Sequence, residues 1–275
     1  MLRRLLRTLL VLTLVGAVLL AAVVLRSRWE TGHTRLETVE HRTDQLSQEL
    51  RMLQITDVHD MRPGPQRDGI VAQARELRPD LVALTGDLIN SYTKDLSRIE
   101  PFVAELAALD IPLFYVPGNH EWASGLLPQV VEMLERHGVV VLRNANQRFD
   151  GPWGSLDVVG TDDYHTGVGN LEQALVGARP KAYHLVLTHS PEKLFDDLGR
   201  LDADLAVCGH THGGQVRLPW LGALYTPGGG FLPRLDKGLF RNGAATLYID
   251  SGVGQSTPMR LGVQSQITLH RISPS

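Results

Sequence analysis

Residues 208–215 read Cys208-Gly209-His210-Thr211-His212-Gly213-Gly214-Gln215 and follow a short apolar run that begins at residue 205. The run predicts a buried strand, and the motif projects two imidazoles, one residue apart, from its carboxyl end. The glycines on both sides let other groups approach closely. This arrangement is suited to holding a metal ion, although an isolated His-x-His is more often a polar turn with two solvated histidines. Motifs elsewhere in the chain distinguish a metal site from a polar turn.

Four other apolar runs also end in residues that can ligate a metal. They are residues 51–56, followed by Asp57 and His59; 81–85, followed by Gly86 and Asp87; 113–116, followed by Asn119 and His120; and 184–187, followed by His189. Stretches with apolar residues at helical spacing lie between several of these runs, so strands and helices alternate. Groups at the carboxyl ends of strands in an α/β sheet converge on one crevice. We therefore expect the five strand ends to meet.

Histidines are concentrated at these ends. Of the 11 histidines in the chain, five lie there. The others, which we assign to surface or packing positions, are His33, His41, His137, His165, His184 and His270.

The mixture of carboxylate, amide and imidazole groups predicts a particular chemistry. It suits manganese, iron, zinc or cobalt better than calcium or copper(I). Two divalent ions about 3.5–4 Å apart can stabilise an in-line displacement at phosphorus and activate water near neutral pH. Such a pair needs a shared anionic ligand, and Asp87 is the candidate because an imidazole presents only one lone pair. Asn119 supplies a neutral oxygen, and its neighbour His120 is left free as an acid for the departing oxygen.

Composition narrows the class of protein. The chain has 275 residues, 43% of them hydrophobic and 21% charged, which is an ordinary balance for one globular domain. The formal net charge is −3 and no basic stripe follows the N-terminus, so we do not expect the protein to bind nucleic acid. Cys208 is the single cysteine, which excludes an internal disulfide and a cysteine-based zinc cluster. We expect it to be a buried small apolar residue.

The N-terminus departs from that balance. Arg3, Arg4 and Arg7 precede an uncharged apolar run over residues 9–25, and two further arginines follow it. At about 17 residues the run is longer than a signal-peptide core and near the lower limit for a membrane span. We interpret residues 1–28 as a single-pass signal anchor at the cell membrane, with cleavage after Ala17 or Ala22 as the alternative. The early arginines favour a catalytic domain on the extracytoplasmic side.

The remaining segments complete the predicted organisation. Residues 29–50 are expected to form a linker with an edge strand at 36–41, and residues 51–275 the catalytic domain. The sequence predicts helices over 70–77, 99–109 and 128–137, and further strands at 139–142, 156–159, 245–249 and 266–272. Residues 216–243 are rich in Gly and Pro and predict a long irregular functional loop.

The ordered motifs resemble those of a known family. They are Asp57-x-His59, Gly86-Asp87, Gly118-Asn119-His120-Glu121, His189 and Gly209-His210-Thr211-His212, and together they are similar to the calcineurin-like metallophosphoesterase superfamily. The N-terminal apolar segment and the late stretches at 250–254 and 260–262 look like its membrane-associated bacterial branch. That branch contains phosphodiesterases and UDP-2,3-diacylglucosamine pyrophosphohydrolases. The resemblance covers about residues 51–272 and implies an α/β sandwich of two mixed sheets flanked by helices, with a dimetal site at one rim.

The resemblance also implies a division of labour. It puts one metal on Asp57, His59, Asp87 and His212, the other on Asp87, Asn119, His189 and His210, and His120 near the leaving group. Two positions depart from the branch, Asp60 after the first histidine and Ser251 in the late segment, and both border the expected pocket mouth.

Two further residues are candidate substrate contacts. Arg260 can pair with phosphate oxygens, with an exposed surface arginine as the alternative. Asp163, which with Asp162 follows a predicted strand, can extend the site, with a capped turn as the alternative.

We therefore expect a membrane-anchored, metal-dependent phosphoester hydrolase. Its bond would be a phosphodiester or a pyrophosphate, and a lipid-linked substrate such as UDP-2,3-diacylglucosamine is a candidate. The alternatives are a phosphomonoesterase or nucleotidase of the same chemistry, and a membrane- or wall-binding module with little turnover. The leaving group, the metal and the oligomeric state stay open at this point.

Overall fold

Two six-stranded mixed sheets form the centre of the molecule, whose computed structural model describes residues 1–255 and 259–275. The first sheet contains β1 (Arg35–Thr43), β2 (Leu50–Ile55), β3 (Leu81–Thr85), β4 (Leu113–Val116), β5 (Val140–Val141) and β16 (Gln266–Pro274), in the order β1-β16-β2-β3-β4-β5. The second contains β6 (Ala145–Arg148), β7 (Leu156–Gly160), β8 (Tyr183–Leu187), β9 (Leu205–Cys208), β14 (Gly238–Asn242) and β15 (Ala245–Ile249), in the order β14-β15-β9-β8-β7-β6.

Helices and two small hairpins complete the fold. The helices are α1 (Leu2–Gly32), α2 (Pro65–Leu77), α3 (Glu100–Ala107), α4 (Asn119–Ser124), α5 (Leu127–Arg136), α6 (Leu171–Ala174) and α7 (Glu192–Leu198). The hairpins are β10 (Arg217–Leu218) with β11 (Gly222–Ala223), and β12 (Tyr225–Thr226) with β13 (Gly230–Phe231).

The central strands are apolar throughout because both of their faces are covered. In β3, Leu81 and Ala83 point into the core between the two sheets, whereas Val82 and Leu84 point into the core under the helices. The second sheet repeats the arrangement, with its outer face packed against α6 and α7. Cys208 is fully buried in that outer core, as expected. The sandwich of two mixed sheets flanked by helices is confirmed.

Strand direction decides where the functional groups meet. β2, β3, β4 and β5 are parallel neighbours in the first sheet, and β7, β8, β9 and β15 are parallel neighbours in the second. The carboxyl ends of parallel strands lie on one edge of a sheet. The loops that follow these strands therefore gather at one edge of each sheet, and the approach of His189 Nε2 to Asp87 Oδ2 (3.1 Å) shows that the two edges form one rim of the sandwich.

The N-terminal helix continues further than the sequence suggested. α1 is long and apolar enough to cross a membrane, and it extends through Gly32, where a linker was expected from residue 29 onward. Ser27 and Glu30 are buried at its end. Arg260 donates its backbone N–H to Ser27 Oγ (3.2 Å), and the N–H of Gly262 donates to Glu30 Oε2 (2.8 Å). These contacts to a segment distant in sequence keep the last turns helical.

Most predicted elements lie within a few residues of the observed ones. The edge strand expected at 36–41 is confirmed as part of β1, which pairs in parallel with β16 and so joins the first sheet before the boundary set at residue 51. Pro101 is compatible with the helix predicted at 99–109, because it lies in the first turn of α3, where proline is tolerated. The segment 216–243 is not wholly irregular, because it contains the two hairpins and β14. The elements α4, α6, α7 and β6 were missed because they are too short to show a period.

A chain of polar side chains crosses the core between the sheets. His41 Nε2 donates to His270 Nδ1 (2.9 Å), and His270 Nε2 donates to Gln54 Oε1 (3.0 Å). The amide of Gln54 in turn donates to the carbonyl of Cys208 (2.9 Å), at the end of β9. Burial lowers the pKa of His41 to about 4 and the pKa of His270 well below its usual value. Both rings are therefore neutral in the folded protein.

The hydrogen-bonded side chains of His41, His270 and Gln54 predict that the protein loses stability in acid. The unfolded chain takes up a proton at His41 below about pH 6.5, whereas the folded protein resists until about pH 4. The stabilisation from neutral His41 is complete above pH 6.5. As the pH falls from 6.5 toward 4, this residue should lower the free energy of unfolding by up to about 1.4 kcal/mol per pH unit. In His41→Gln, whose amide can still donate to His270, the slope between pH 6.5 and 4 should be shallower. Urea unfolding with a chelator present measures both slopes, and identical slopes would contradict the assignment.

Candidate metal centre

The loops at the shared rim hold their side chains in unusual backbone conformations. Five of the seven predicted ligands have a positive φ, between 50° and 68°: Asp57, His59, Asp87, His210 and His212. For residues other than glycine this conformation costs of order 1–3 kcal/mol each and is typical of functional sites. Backbone hydrogen bonds between neighbouring loops hold it, since Asp57 N–H donates to the Gly86 carbonyl and His59 N–H to the Asp87 carbonyl.

One set of ligand atoms converges beside β2 and β9. Asp57 Oδ1 lies 3.7 Å from His59 Nε2 and 3.5 Å from His212 Nε2. The two imidazole nitrogens lie 3.2 Å apart, and Asp87 Oδ2 is 3.8 Å from His59 Nε2. Asp57 Oδ1 is buried and has no hydrogen-bond partner within the described residues. These four side chains could hold one ion.

A second set converges on the other side of Asp87. Its Oδ2 lies 3.1 Å from His189 Nε2. His189 Nε2 is in turn 3.2 Å from Asn119 Oδ1 and 3.2 Å from His210 Nδ1. The structure thus brings all seven predicted ligands together, and Asp87 Oδ2 belongs to both sets.

The hydrogen bonding of His189 tests whether the second set fits a cation. His189 Nδ1 donates to the Thr85 carbonyl (2.9 Å), so a neutral ring presents its lone pair at Nε2. That lone pair faces the oxygens of Asp87 and Asn119, which are also acceptors. Acceptors that face one another without a proton need a positive charge between them, and a divalent ion fits this position.

The charges of the cluster lead to the same conclusion. Burial opposes ionisation of Asp57 and Asp87, but the surrounding imidazoles outweigh it and hold the pKa of both carboxyls below the usual range. Burial likewise opposes a charge on His189, yet Asp87 raises the pKa of that imidazole well above its usual value. The two carboxylates therefore require positive charge close by, from protons or from metal ions.

Two glycines in the motifs are required by close packing. A Cβ at Gly209 would lie 2.2 Å from Asp57 Oδ2, and a Cβ at Gly118 would lie 2.2 Å from Asp87 Oδ1. Any side chain at either position would displace a carboxylate of the cluster.

His120 stands at the open side of the cluster. Its ring is 18% exposed, and its Nε2 lies 3.8 Å from Asp87 Oδ2. The backbone N–H of Ser91 donates to His120 Nδ1 (2.9 Å), so the neutral ring carries its proton on Nε2. Burial lowers the pKa of His120. The structure thus presents an N–H donor beside the ligand that both sets share.

Glu121 has a role that the sequence did not reveal. This fully buried carboxylate accepts hydrogen bonds from the backbone N–H groups of Asp87 (3.0 Å), Gly118 (2.8 Å) and Ile89 (3.2 Å). Burial and the charge of Asp87 raise its pKa to about 7, against the backbone hydrogen bonds that favour the charged form. Glu121 joins the loops that follow β3 and β4 and so sets the position of Asp87. Its place inside the Gly118–Glu121 motif was the available signal.

His165 is a second residue near the cluster that was not predicted from the sequence. It was assigned to a surface or packing position, and it is exposed, but its ring centroid lies 4.8 Å from that of His210. It follows β7, whose carboxyl end lies on the same rim, so the strand-end rule could have found it.

Arg260 does not reach the open face of the cluster. It is fully buried, and its Nη2 donates to the carbonyls of Gly252 (2.9 Å) and Gly254 (2.6 Å). The N–H of Gly254 in turn donates to the Asp57 carbonyl (2.7 Å). In this arrangement Arg260 supports the loop beneath Asp57.

Asp163 is also occupied by protein partners. Its Oδ1 accepts from the hydroxyl of Ser190, next to His189, and its Oδ2 accepts from the N–H of Thr166 (2.8 Å). Asp163 is fully buried and ties the loop after β7 to the loop after β8.

Comparison with known proteins shows the family to which the chain belongs, and this family agrees with the chemistry of the site. Residues 50–214, more than half of the chain, match the calcineurin-like phosphoesterase family, and the chain belongs to this family. It is a metal-dependent phosphoester hydrolase. Phosphodiesterase YaeI of Escherichia coli is 30% identical over 225 residues, which cover 80% of this chain and 80% of that protein.

Two other likenesses are more limited. A Bos taurus transmembrane protein with a metallophosphoesterase domain is 29% identical over 280 residues, and the match covers 93% of this chain but only 60% of that protein. The structure of Haemophilus influenzae NAD nucleotidase covers 75% of this chain and 45% of its own, with a TM-score of 0.51 and 17% identity. The last likeness shows the fold alone.

The position of Glu121 predicts the effect of a small change. In Glu121→Gln one acceptor oxygen becomes a donor, which then faces a backbone N–H. Because the loop carrying Asp87 loses its support, metal affinity or activity should fall roughly 10–100-fold. Glu132→Gln, at an exposed position of α5, removes the same charge and should change neither. Metal titration followed by calorimetry measures the effect, and equal affinities in the two variants would contradict the role of Glu121.

Proposed function

We propose that the protein is a membrane-anchored phosphodiesterase with two metal ions, which hydrolyses a phosphodiester or pyrophosphate bond. The observation that carries this proposal is Asp87 Oδ2, which lies within reach of both sets of ligands. The name of the E. coli relative favours a diester over a monoester. All seven ligands and His120 are retained, which argues against a binding module with little turnover.

The ligand sets define how the ions are held. Asp57, His59 and His212 would hold one ion, and Asn119, His189 and His210 the other, with Asp87 between them. The donor set suits manganese, iron, zinc or cobalt. When bound, the ions would supply charge stabilisation at the phosphoryl group and activation of water near neutral pH.

The residues around the cluster supply positioning and a proton. His120 donates from Nε2 to an oxygen of the phosphoester at the open side, and it protonates or stabilises the leaving oxygen. Ser91 keeps the proton on that nitrogen. Glu121 and the backbone bonds of the rim hold Asp87 in place before the substrate arrives, so no reorganisation of the loops is needed.

The N-terminal helix supports a membrane location. α1 is long and apolar enough to span a bilayer, and the bovine relative is named a transmembrane protein. Arg3, Arg4 and Arg7 favour a cytoplasmic N-terminus and an extracytoplasmic catalytic domain. A catalytic site held at a membrane fits a lipid-linked substrate, and UDP-2,3-diacylglucosamine is one example of that class.

Substrate preference tests the proposal. The full chain, purified in detergent with Mn²⁺, should hydrolyse bis(4-nitrophenyl) phosphate faster than 4-nitrophenyl phosphate, because the site is proposed to accept a diester. His120→Asn should keep its metal and lose on the order of 10²–10⁴ in rate, more with a phenolate than with the better 4-nitrophenolate leaving group.

The control is His137→Asn, at the end of α5, which should leave the rates unchanged. A preference for the monoester would favour a phosphomonoesterase or nucleotidase instead. Equal losses with both leaving groups would refute the acid role of His120.

A further inference from the structure

A cavity of 370 Å³ lies between the metal cluster and the end of α1. We call it the anchor-side cavity, and its wall includes Thr31, His59, Asp60, Arg62, Tyr92 and Arg98. It is large enough for a phosphate with an attached polar group. A second cavity of 410 Å³ shares Asp60, Tyr92 and Arg98 with it, so the space continues along the surface.

Two guanidinium groups line the anchor-side cavity. Arg62 and Arg98 are exposed, and neither guanidinium makes a hydrogen bond or an ion pair with any residue that the structure describes. The charge of Arg98 interacts at longer range with the carboxylate of Asp95, which lies on the wall of the second cavity. The nearby carboxylate of Asp60 does not neutralise them by contact. Its Oδ2 accepts from the N–H of Asn90 (3.1 Å) and from the hydroxyl of Thr93 in the neighbouring loop, and its Oδ1 is buried without a hydrogen-bond partner among the described residues. Unpaired guanidinium groups are the usual partners of phosphate, which they bind through two parallel hydrogen bonds.

The wall on the side of α1 is fixed in place. Gln66 of α2 donates from Nε2 to the Thr31 carbonyl (2.9 Å) and to Thr34 Oγ1 (3.0 Å). Glu30 holds the next segment through Gly262. The end of α1 is therefore part of the cavity and not a loosely tethered neighbour.

The position of Thr31 relates the cavity to the membrane. Thr31 lies six residues beyond Leu25, the last residue of the apolar run, which is about 9 Å along a helix. The polar head-group region on one side of a bilayer is of similar depth, roughly 5–8 Å. If α1 spans the bilayer as proposed above, Thr31 on the cavity wall lies at the outer edge of the lipid head groups.

We propose that the anchor-side cavity binds the phosphate-bearing head group of an anionic lipid, with Arg62 and Arg98 as its contacts. The wall of the cavity includes the backbone of His59, whose fully buried imidazole belongs to the metal cluster, so a head group bound there lies next to the cluster. The inference rests on the proposed function and adds the place where the head group of a lipid substrate binds. A soluble phosphate compound has the same chemistry, and the experiment separates the two sources.

Competition in nanodiscs tests the proposal. The full chain is reconstituted in discs of phosphatidylcholine with increasing fractions of phosphatidylglycerol, and the KM for soluble bis(4-nitrophenyl) phosphate is measured with Mn²⁺. Phosphatidylglycerol should raise the apparent KM as a competitor. In Arg62→Gln and in Arg98→Gln the inhibition constant should increase roughly tenfold, the loss expected for one charge-assisted contact.

Arg75→Gln is the matched control, because Arg75 is exposed on α2, lies outside the cavity wall and carries the same charge. Its inhibition constant should equal that of the wild type. An equal change in Arg75→Gln, or no competition by phosphatidylglycerol, would overturn the proposal while hydrolysis of the soluble diester continued. Equally strong competition by soluble glycerophosphoglycerol at the same bulk concentration would overturn the lipid source. Absence of hydrolysis in every disc would instead refute the proposed function.

Discussion

The candidate metal centre depends on two carboxylates that are buried in the same cluster. Asp57 and Asp87 are almost completely withdrawn from water, and such groups are strongly disfavoured unless positive charge compensates them. Five imidazoles surround them, and two of these, His59 and His189, have raised pKa values despite their burial. The cluster is therefore built to be neutralised by cations. Metal ions meet this demand and give the site its chemistry.

The rest of the fold keeps that cluster from relaxing. The positive φ values of the predicted ligands are strained and would favour rearrangement if the rim were loose. Two buried charged residues prevent it. Glu121 accepts three backbone hydrogen bonds around Asp87, and Arg260 holds the loop that contacts Asp57. Arg260 is also bonded through its backbone to Ser27 of α1, so the proposed membrane anchor and the cluster share one supporting segment.

Much of this could be predicted from the sequence, for a physical reason. Strands such as β3 and β8 are short apolar runs, and the predicted ligands follow them directly. The rule that parallel strands share one carboxyl edge therefore places Asp57 with Asp87 in the first sheet and His189 with His210 in the second. The role of Arg260 could not be predicted, and that of Glu121 was signalled only by its place in the Gly118–Glu121 motif, because both roles depend on backbone partners that are set by loop conformation. The length of α1 was also missed, since the contacts that keep Glu30 helical come from residues more than two hundred positions away.

The central claim is that one carboxylate, Asp87, joins two metal ions. Low-temperature electron paramagnetic resonance of the Mn²⁺-loaded protein, with metal counted on the same sample, tests this directly. The account predicts two ions per chain and the broad spectrum of an exchange-coupled pair, because two ions that share an oxygen interact magnetically. A single ion per chain at saturation, with the six-line spectrum of isolated Mn²⁺, would contradict it.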